Sequence, residues 1–373
     1  MTCMLSHGAL TCAPADQTAL SSFSKHLDVA INGWPGPENG SSDCCHWPGV
    51  RCGRFGEDLR VVGLALAGRG LAGVLSSSLA RLDQLRVLNL SWNAFHGAVP
   101  SELLRMPRLT VLDLSQNGFT GELGGAAPPQ NASGMMIRIV DVSFNSLSSL
   151  HAGLFRGLPS LRRFSAESNQ LAGTVPGSLS SCSELEHMNM ANNSLHGTLG
   201  SLNFSRLGPI PGSLSDLRAL NLLNLSWNAL SGEIPRSLAS LSSLQTLDLS
   251  YNELDGEIPS SLAGLTFLSC FDVSYNRLDG AIPDHGQFST FPCSSFAGNP
   301  GLHGEYCDGQ VGAGTRENDG GDVASLVEDV WLPFWLGMVA GLLATICTLT
   351  CLYWRRGSGQ LTIFNRAIKV GLG

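Results

Sequence analysis

The sequence predicts an elongated α/β-type solenoid of short stacked coils, followed by one transmembrane α-helix. Two observations predict it. A leucine frame recurs about every 24 residues through the middle of the chain, and one long uncharged segment lies near the C-terminus. Among the 373 residues Gly numbers 44 and charged residues make up only 14%, a composition that fits many similar units better than one mixed core.

The charge balance excludes one class of partner. The formal net charge is −8, and the sequence has no block of Lys and Arg. Because binding to nucleic-acid phosphates needs a basic surface, we do not expect nucleic acid as a partner.

The repeated frame reads LxxLxLSxNxLxGxIPxxL and is clear in LQTLDLSYNELDGEIPSSL. The spacing of its Asn is 24 residues, except for 28 before Asn145 and 35 before Asn228. Arg69 takes the Asn position in a degenerate first unit, which makes about nine repeats. The frame asparagines are Asn93, Asn117, Asn145, Asn169, Asn193, Asn228, Asn252 and Asn276.

Each part of the frame has a physical role. Alternate strand residues point to opposite faces, so Leu88 and Leu90 enter the core. The Asn side chain can bond backbone groups that the sharp turn leaves unpaired. Gly then permits the turn, and Ile-Pro starts a second segment whose Leu packs inward. No unit can bury its apolar face alone, so the units must stack. The frame therefore predicts a leucine-rich-repeat solenoid, with short parallel strands on a concave face and a 3-10 or irregular convex side.

The strand residues that point away from the core supply the candidate binding surface. Aromatic residues share one position at the strand edge and could anchor a peptide. The alternative is that they only pack on the adjacent coil. The candidate concave-face residues are Trp92, Asp113, Phe144, Glu167, His187, Trp227, Asp248, Tyr251, Asp272 and Tyr275.

No enzyme is expected. Asp113, Asp141, Asp248 and Asp272 recur at one frame position, which marks them as exposed strand residues of the repeat. The many serines follow from the LSxN frame, and no GxSxG elbow is present. We therefore expect no catalytic, cofactor-binding or metal-binding residues.

Six cysteines lie in two clusters at the ends of the repeats. Neither cluster has CxxC pairs or His at metal-ligand spacing, so disulfides are favoured over a metal site, which indicates an oxidising compartment. Cys182 is expected to be a buried small apolar residue. The clustered cysteines are Cys12, Cys44, Cys45, Cys52, Cys293 and Cys307.

The uncharged segment 330–354 is long enough to cross a bilayer as one helix. Trp331 and Trp354 suit the two membrane interfaces, and Arg355 with Arg356 marks the cytoplasmic side. A buried core helix fits this length and these flanks poorly. Within the span, Gly337 and Gly341 form a GxxxG pattern that allows close helix–helix contact, although this pattern also arises by chance.

Asn-x-Ser sequons predict glycosylation of the N-terminal part, although chance sequons also occur. Sugars on Asn89 and Asn224 would restrict access to the concave face. Residues 1–11 have neither the basic region nor the apolar region of a secretory signal, so we expect the true start of the protein to lie elsewhere. The sequons are Asn39, Asn89, Asn131, Asn192, Asn203 and Asn224.

The opening segment CAPADQTALSSFSKHLDVAINGWPGPENGSSDCCHWPGVRC resembles the N-terminal cap of plant leucine-rich-repeat receptors. The stretch that ends in DHGQFSTFPCSSF resembles the last repeats and C-terminal cap of the phytosulfokine receptor family. The resemblance implies disulfides Cys12–Cys44 and Cys45–Cys52. The family's Leu-Cys-Gly reads Leu302-His303-Gly304 here, which leaves Cys293 and Cys307 as a substitute pair.

The sequence departs from that family in one region. LNFSRL runs directly into GPIPGSL, which resembles an internal deletion, and no ligand-binding island sequence is present. Recognition of phytosulfokine itself is therefore not expected. Nor does the sequence contain the glycine-rich loop, HRD or DFG of a kinase.

The resemblance implies a receptor-like protein at the plasma membrane, with its N-terminal part outside the cell. It would bind an extracellular peptide or a partner ectodomain and signal through a separate adaptor or co-receptor kinase, contacted at 246–291. Two alternatives stay open: a truncated decoy or non-functional paralogue, and a module like the polygalacturonase inhibitors.

The predicted division of the chain follows these features. The segments are a leader at 1–11, an N-terminal cap at 12–60, repeats at 61–284 with an irregular join near 200–210, a C-terminal cap at 285–307, an acidic stalk at 308–329, the transmembrane helix at 330–354 and a short basic tail at 355–373.

Overall fold

The computed structural model describes residues 11–35, 43–125, 135–201, 219–305 and 307. In this part of the chain the repeats stack into a solenoid whose coils share one apolar interior. Buried residues from Cys12 to Cys307 contribute to it. The leucines of the frame are buried almost completely, as Leu88, Leu90 and Leu112 show. The prediction of a leucine-rich solenoid is confirmed.

One sheet, which we call the long sheet, runs through the described repeats and is the predicted concave sheet. β1 pairs with β2 in antiparallel fashion, and the other strands are parallel. The three-residue strands follow the pattern of one inward apolar residue, most often leucine, between two outward residues. In order across the sheet, the strands are β1 (Val50–Phe55), β2 (Asp58–Ala65), β4 (Val87–Asn89), β6 (Val111–Asp113), β8 (Ile139–Asp141), β10 (Arg163–Ser165), β12 (His187–Asn189), β14 (Leu222–Asn224), β16 (Thr246–Asp248) and β18 (Cys270–Asp272).

A second set of strands, built from the LxGxI part of the frame, was not predicted. Neighbouring coils lie one strand spacing apart, so these extended segments also pair, as Gly256 does with Leu278. The sequence analysis predicted only 3-10 or irregular structure outside the concave sheet, and that prediction was therefore incomplete. One group is β3 (Ala72–Val74), β5 (Ala94–Ala98), β7 (Gly118–Leu123) and β9 (Ser146–Leu150); the other is β11 (Ala172–Gly173), β13 (Ser194–Thr198), β15 (Ala229–Glu233), β17 (Glu253–Glu257), β19 (Arg277–Ala281) and β20 (Gly301–His303).

Short 3-10 helices complete the coils, as predicted. Those at Arg236–Ser240 and Ser260–Gly264 follow an Ile-Pro pair and turn one leucine inward, as Leu262 does after Pro259. An α-helix, α1 (Pro14–Ser24), belongs to the N-terminal cap. The 3-10 segments are Cys44–His46, Ser77–Arg81, Leu103–Arg105, Leu154–Gly157, Gly177–Ser181, Leu199–Ser201, Arg236–Ser240, Ser260–Gly264, Gly286–Thr290 and Cys293–Phe296.

The frame asparagines form a ladder of hydrogen bonds between coils. Asn252 is buried, and its Nδ2 donates to the carbonyl oxygens of Leu249 (3.1 Å), Ser250 (3.1 Å) and Leu225 of the preceding coil (3.0 Å). Its Oδ1 accepts from the backbone N–H of Leu230 at 3.0 Å. Equivalent bonds recur along the solenoid, so one side chain satisfies backbone groups of two coils.

The C-terminal cap extends this ladder. Asn299 lies 23 residues after Asn276, and its Nδ2 donates to the carbonyl of Val273 at 3.0 Å. Its Oδ1 accepts from the N–H of Leu278. The sequence interpretation ended the ladder at Asn276. The NPGL segment at 299–302 was the available signal, but no strand of apolar residues alternating with polar ones precedes it, as one does before the other ladder asparagines.

Both caps are closed by the expected disulfides. Cys12–Cys44 and Cys45–Cys52 hold the N-terminal cap, and Cys293–Cys307 holds the C-terminal cap. These pairings confirm what the resemblance implied.

The N-terminal cap also docks on the first coil through a buried ion pair. Arg60 Nη2 donates to Asp16 Oδ1 at 2.9 Å, and the backbone N–H of Val61 donates to Asp16 Oδ2 at 2.7 Å. Asp16 is completely buried, so these bonds replace the water that its carboxylate loses.

The long sheet continues across both irregular spacings. Over the 35-residue gap, β12 pairs directly with β14, and Met188 lies opposite Leu223. Asn228 donates to the carbonyl of Met190 at 3.1 Å, as a frame Asn does toward any preceding coil. The coils on either side of this gap therefore pair with each other as directly as the other neighbouring coils do.

Several predicted features fall outside the described residues. These are the leader apart from residue 11, the stalk at 308–329, the span at 330–354 with Gly337 and Gly341, the tail at 355–373 and the sequons Asn39, Asn131 and Asn203. Among the residues that are described, no helix has the length and apolar character needed to cross a membrane.

We expect Asn252→Ala to destabilise the solenoid, because it leaves a buried N–H and three carbonyls without this partner. The loss should be about 3 kcal/mol, since each unsatisfied buried group costs roughly 1–3 kcal/mol. Urea denaturation followed by circular dichroism measures it. Gln170→Ala, at an exposed position, is the control. Equal midpoints for the two variants would contradict the role given to the ladder.

Candidate ligand-binding face

The residue immediately before each frame Asn has left-handed backbone geometry. Across the described part of the chain, eight non-glycine residues have φ between 52° and 57°. We call this set the turn column. Left-handed backbone is unfavourable for L-residues, so it persists only where surrounding bonds determine it. The residues of the turn column are Trp92, Gln116, Phe144, Ser168, Asn192, Trp227, Tyr251 and Tyr275.

Three neighbours in this column form an aromatic stack. The rings of Trp227 and Tyr251 lie 3.8 Å apart at an interplanar angle of 11°, and those of Tyr251 and Tyr275 lie 4.4 Å apart at 16°. This stacking is the alternative that the sequence left open, and anchoring of a peptide stays a prediction. The aromatics pack on the adjacent coil, and they also keep an accessible surface, since Tyr275 is 51% exposed.

The C-terminal cap closes one end of this stack. A Cβ atom added at Gly298 would lie 2.6 Å from Cδ1 of Tyr275, so the cap backbone lies directly against the Tyr275 ring. Gly298 also has a φ of 72°, which favours glycine there. The position of the Tyr275 ring is therefore fixed from both sides.

Two other candidate aromatics are isolated from the stack. Trp92 is 66% exposed and Phe144 is 41% exposed. Polar residues occupy the turn column on either side of Phe144, namely Gln116 and Ser168. The structure thus brings only the aromatics of repeats seven to nine together.

The acidic column is anchored rather than freely exposed, which corrects the sequence interpretation. Asp113 is only 8% exposed. Asp248 Oδ1 accepts from the hydroxyl of Ser250 at 2.7 Å and from its backbone N–H at 3.1 Å. Asp113, Asp141 and Asp272 make the same bonds. The Ser of the LSxN frame is therefore the partner of this side chain.

Asp248 and Asp272 form a pair of carboxylates beside the aromatic stack. They lie opposite one another in the parallel pairing of β16 and β18. Burial, and then the charge of Asp248, raises the pKa of Asp272 to about 6. Burial also raises the pKa of Asp248. Negative charge is therefore concentrated on the outer face of repeats eight and nine.

The middle of the face has a different character. His187 lies beside Arg163 in the register of β10 and β12. Burial, with a further contribution from the charge of Arg163, lowers the pKa of His187 to about 4, so the ring is neutral at pH 7. Glu167 accepts a hydrogen bond from Asn189 at 2.6 Å, and burial raises the pKa of its carboxyl.

The cysteines of the N-terminal cap are bonded in disulfides, and Cys182 is buried in the solenoid. Cys12, Cys44 and Cys45 lie close to Asp43, but all three are in disulfides. Cys182 donates to the carbonyls of Phe155 and Leu158, and burial raises the pKa of its thiol to about 12. It is the buried small residue that the sequence predicted.

Comparisons with known families match the N-terminal cap and several segments of the repeats. Residues 13–53 match the leucine rich repeat N-terminal domain family. Residues 137–195, 219–241 and 243–265 match leucine rich repeat families.

Individual relatives and structures agree with this assignment. Phytosulfokine receptor 1 of Arabidopsis thaliana is 44% identical over 82 residues, which are 22% of this chain and 8% of that receptor. The match thus spans less than a tenth of this relative. The Arabidopsis receptor kinase HAESA, in complex with the peptide hormone IDA and the co-receptor SERK1, is 32% identical with a TM-score of 0.52; the match covers 64% of this chain and 37% of HAESA. A plant ice-binding protein is 25% identical with a TM-score of 0.58, covering 79% and 96%.

We expect Asp272→Asn to stabilise the protein, and increasingly so as pH rises. The folded-state pKa of Asp272 lies near 6, above the ordinary 3.8, so the folded form binds this proton more tightly than the unfolded chain does. Ionisation between these values therefore lowers stability, and Asn removes that loss. Asn already occupies this frame position at Asn89, Asn189 and Asn224.

Thermal unfolding at pH 4.5 and pH 7.5 measures the effect. The Tm gain of Asp272→Asn over the parent should be larger at pH 7.5. Asp255→Asn, at an exposed position on β17, is the control. A Tm gain that shrinks with rising pH would show that ionisation of Asp272 does not destabilise the folded protein.

Proposed function

We propose that this chain, a leucine-rich-repeat solenoid that resembles plant receptor ectodomains, is a cell-surface receptor-like protein. It binds an extracellular peptide or a partner ectodomain through the outer face of the long sheet. Signalling then passes to a separate kinase. The observation that carries the proposal is the accessible aromatic stack of Trp227, Tyr251 and Tyr275 on a rigid sheet edge.

The chemistry of this face suits macromolecular recognition. Interface energy concentrates in a few aromatic or Arg anchors on a preformed surface. The turn geometry and the Gly298 contact preorganise the stack, so little side-chain entropy is lost on binding. The HAESA structure is a complex with a peptide hormone and a co-receptor. We extend that class of ligand, and not its identity, to this chain.

The proposed location rests on the cysteines and on the predicted span. Three disulfides in the caps suit an oxidising compartment. The span at 330–354, with Arg355 and Arg356 after it, would place the solenoid outside the plasma membrane.

The partner kinase is proposed to contact two regions. The last repeats and cap, 246–291, would meet a co-receptor ectodomain, and Gly337 with Gly341 would allow its transmembrane helix to approach closely. The acidic stalk at 308–329 lies between these regions in sequence and could pair with basic groups of the partner.

A decoy would share this surface but act differently. It would occupy the co-receptor without any extracellular ligand, whereas a receptor captures the co-receptor more strongly when ligand is present. Inhibition of a polygalacturonase by the purified protein would instead support the inhibitor alternative.

Replacing the aromatic stack should abolish peptide capture. The double variant Trp227→Ser with Tyr251→Gln uses residues that the turn column already holds at Ser168 and Gln116, so the fold is retained. The full chain in lipid nanodiscs is incubated with an apoplastic peptide fraction, and bound peptides are identified by mass spectrometry. We expect at least a tenfold loss of specific peptides.

Phe267→Ser is the matched control, because Phe267 is an aromatic residue that is 64% exposed and lies outside the turn column. It should leave capture unchanged. Equal capture by the double variant and the parent would rule out the stack as the binding surface.

Replacing both Gly337 and Gly341 with Leu should abolish co-precipitation of the partner kinase from plant cells, because the larger side chains keep the two helices apart. Ala344→Leu, outside the GxxxG pair, is the control. Unchanged recovery of the kinase with the Gly variant would refute pairing through the span.

A further inference from the structure

Three of the six sequons lie in the described residues, and they occupy two different positions of the coil. Asn89 and Asn224 are the last residues of β4 and β14. Asn192 instead belongs to the turn column, two residues before β13 begins at Ser194. The same short sequence signal therefore falls in two unlike environments.

The sequons of the strand position are locked into the folded coil. Asn89 Oδ1 accepts from the hydroxyl of Ser91 at 2.8 Å, and Asn89 Nδ2 donates to Asp113 Oδ2 at 3.0 Å. Asn224 Oδ1 accepts from the hydroxyl of Ser226 at 2.7 Å. Both sequon serines are buried. In each case the acceptor amide and the recognition hydroxyl are bonded to one another inside the structure.

The sequon of the turn position is open. The side chains of Asn192 and Ser194 are both exposed. The φ of Asn192 is 53°, a left-handed conformation that Asn tolerates better than most residues. Its Nδ2 donates to the Ser168 hydroxyl at 3.1 Å, on the exposed surface. Loss of that bond leaves no buried group unsatisfied.

We propose that Asn192 carries an N-linked glycan in the folded protein and that Asn89 and Asn224 do not. Nδ2 of Asn192 loses one proton and bonds to the anomeric carbon of a lipid-pyrophosphate-linked oligosaccharide. The anomeric C–O bond of that donor breaks, and the lipid pyrophosphate leaves. At Asn89 the same bond would place a sugar on the nitrogen that contacts Asp113, so folding disfavours chains modified there.

The position of this glycan bears on ligand binding, and this consequence rests on the proposed function. Asn192 stands between Ser168 and Trp227 in the turn column. A sugar there would separate Phe144 from the aromatic stack, while Tyr251 and Tyr275 stay open on the other side. It would confine a peptide to repeats seven to nine and the C-terminal cap.

The test maps occupied sites directly. The full chain is expressed in plant cells behind a cleavable secretion signal, which brings it into the secretory pathway whatever its own function. Deglycosylation by an amidase in heavy-oxygen water converts each occupied Asn to a labelled Asp for mass spectrometry. We expect label at 192 and none at 89 or 224. An unlabelled 192, or label at 89 or 224 in the secreted, folded protein, overturns the proposal.

Ser194→Ala provides a second measurement, because it removes the sequon through an exposed side chain. Its mass should fall by one glycan relative to the parent. Ser91→Ala, which removes the sequon of Asn89, should leave the glycan mass unchanged. The reverse result would overturn the assignment. Peptide capture by Ser194→Ala tests the proposed function separately, since a glycan at 192 can be present whether or not the chain binds peptide.

Discussion

The hydrogen bonds of the frame asparagines are the constraint on which the rest of this structure depends. A coil that turns sharply after a three-residue strand exposes backbone groups to an apolar interior. Without partners, those groups would offset the gain from burying leucine. Asn supplies a donor and an acceptor at one point, and it bonds its own coil and the one before it. The interior can then be apolar and rich in leucine and phenylalanine, as it is from Leu64 to Phe296.

The binding face follows from the same bonds. Because the Asn fixes the turn, the residue before it is held in a left-handed conformation whatever its type, and its side chain projects at the sheet edge. Trp227, Tyr251 and Tyr275 therefore follow one another along the sheet edge, where their rings stack. The neighbouring Asp248 and Asp272 are held by serines of the frame. In each repeat the Asn and Ser of the frame therefore maintain the fold, while the residue before the Asn supplies the candidate binding surface.

The features that could be predicted from the sequence are those that recur in every repeat. The leucine interior, the asparagine ladder and the outward strand residues repeat so often that each position reports its own environment. The left-handed column escaped prediction because Trp, Phe and Tyr give no signal for positive φ, which the neighbouring Asn imposes. The buried anchoring of Asp113 escaped for a related reason. The sequence analysis attributed Ser115 to the LSxN frame and gave it no partner. The hydrogen bond from Ser115 to Asp113 depends on the turn geometry, which the sequence alone does not reveal.

The pairing of β12 with β14 across a 35-residue spacing has a consequence for how such chains change over time. Every coil offers the same edge to the coil before it and the coil after it. Excision of whole units would therefore bring together two edges that already match. A gene for a protein of this kind could shorten or lengthen by recombination while its product still folds. The number of repeats is therefore free to vary, whereas the frame residues within each repeat are not.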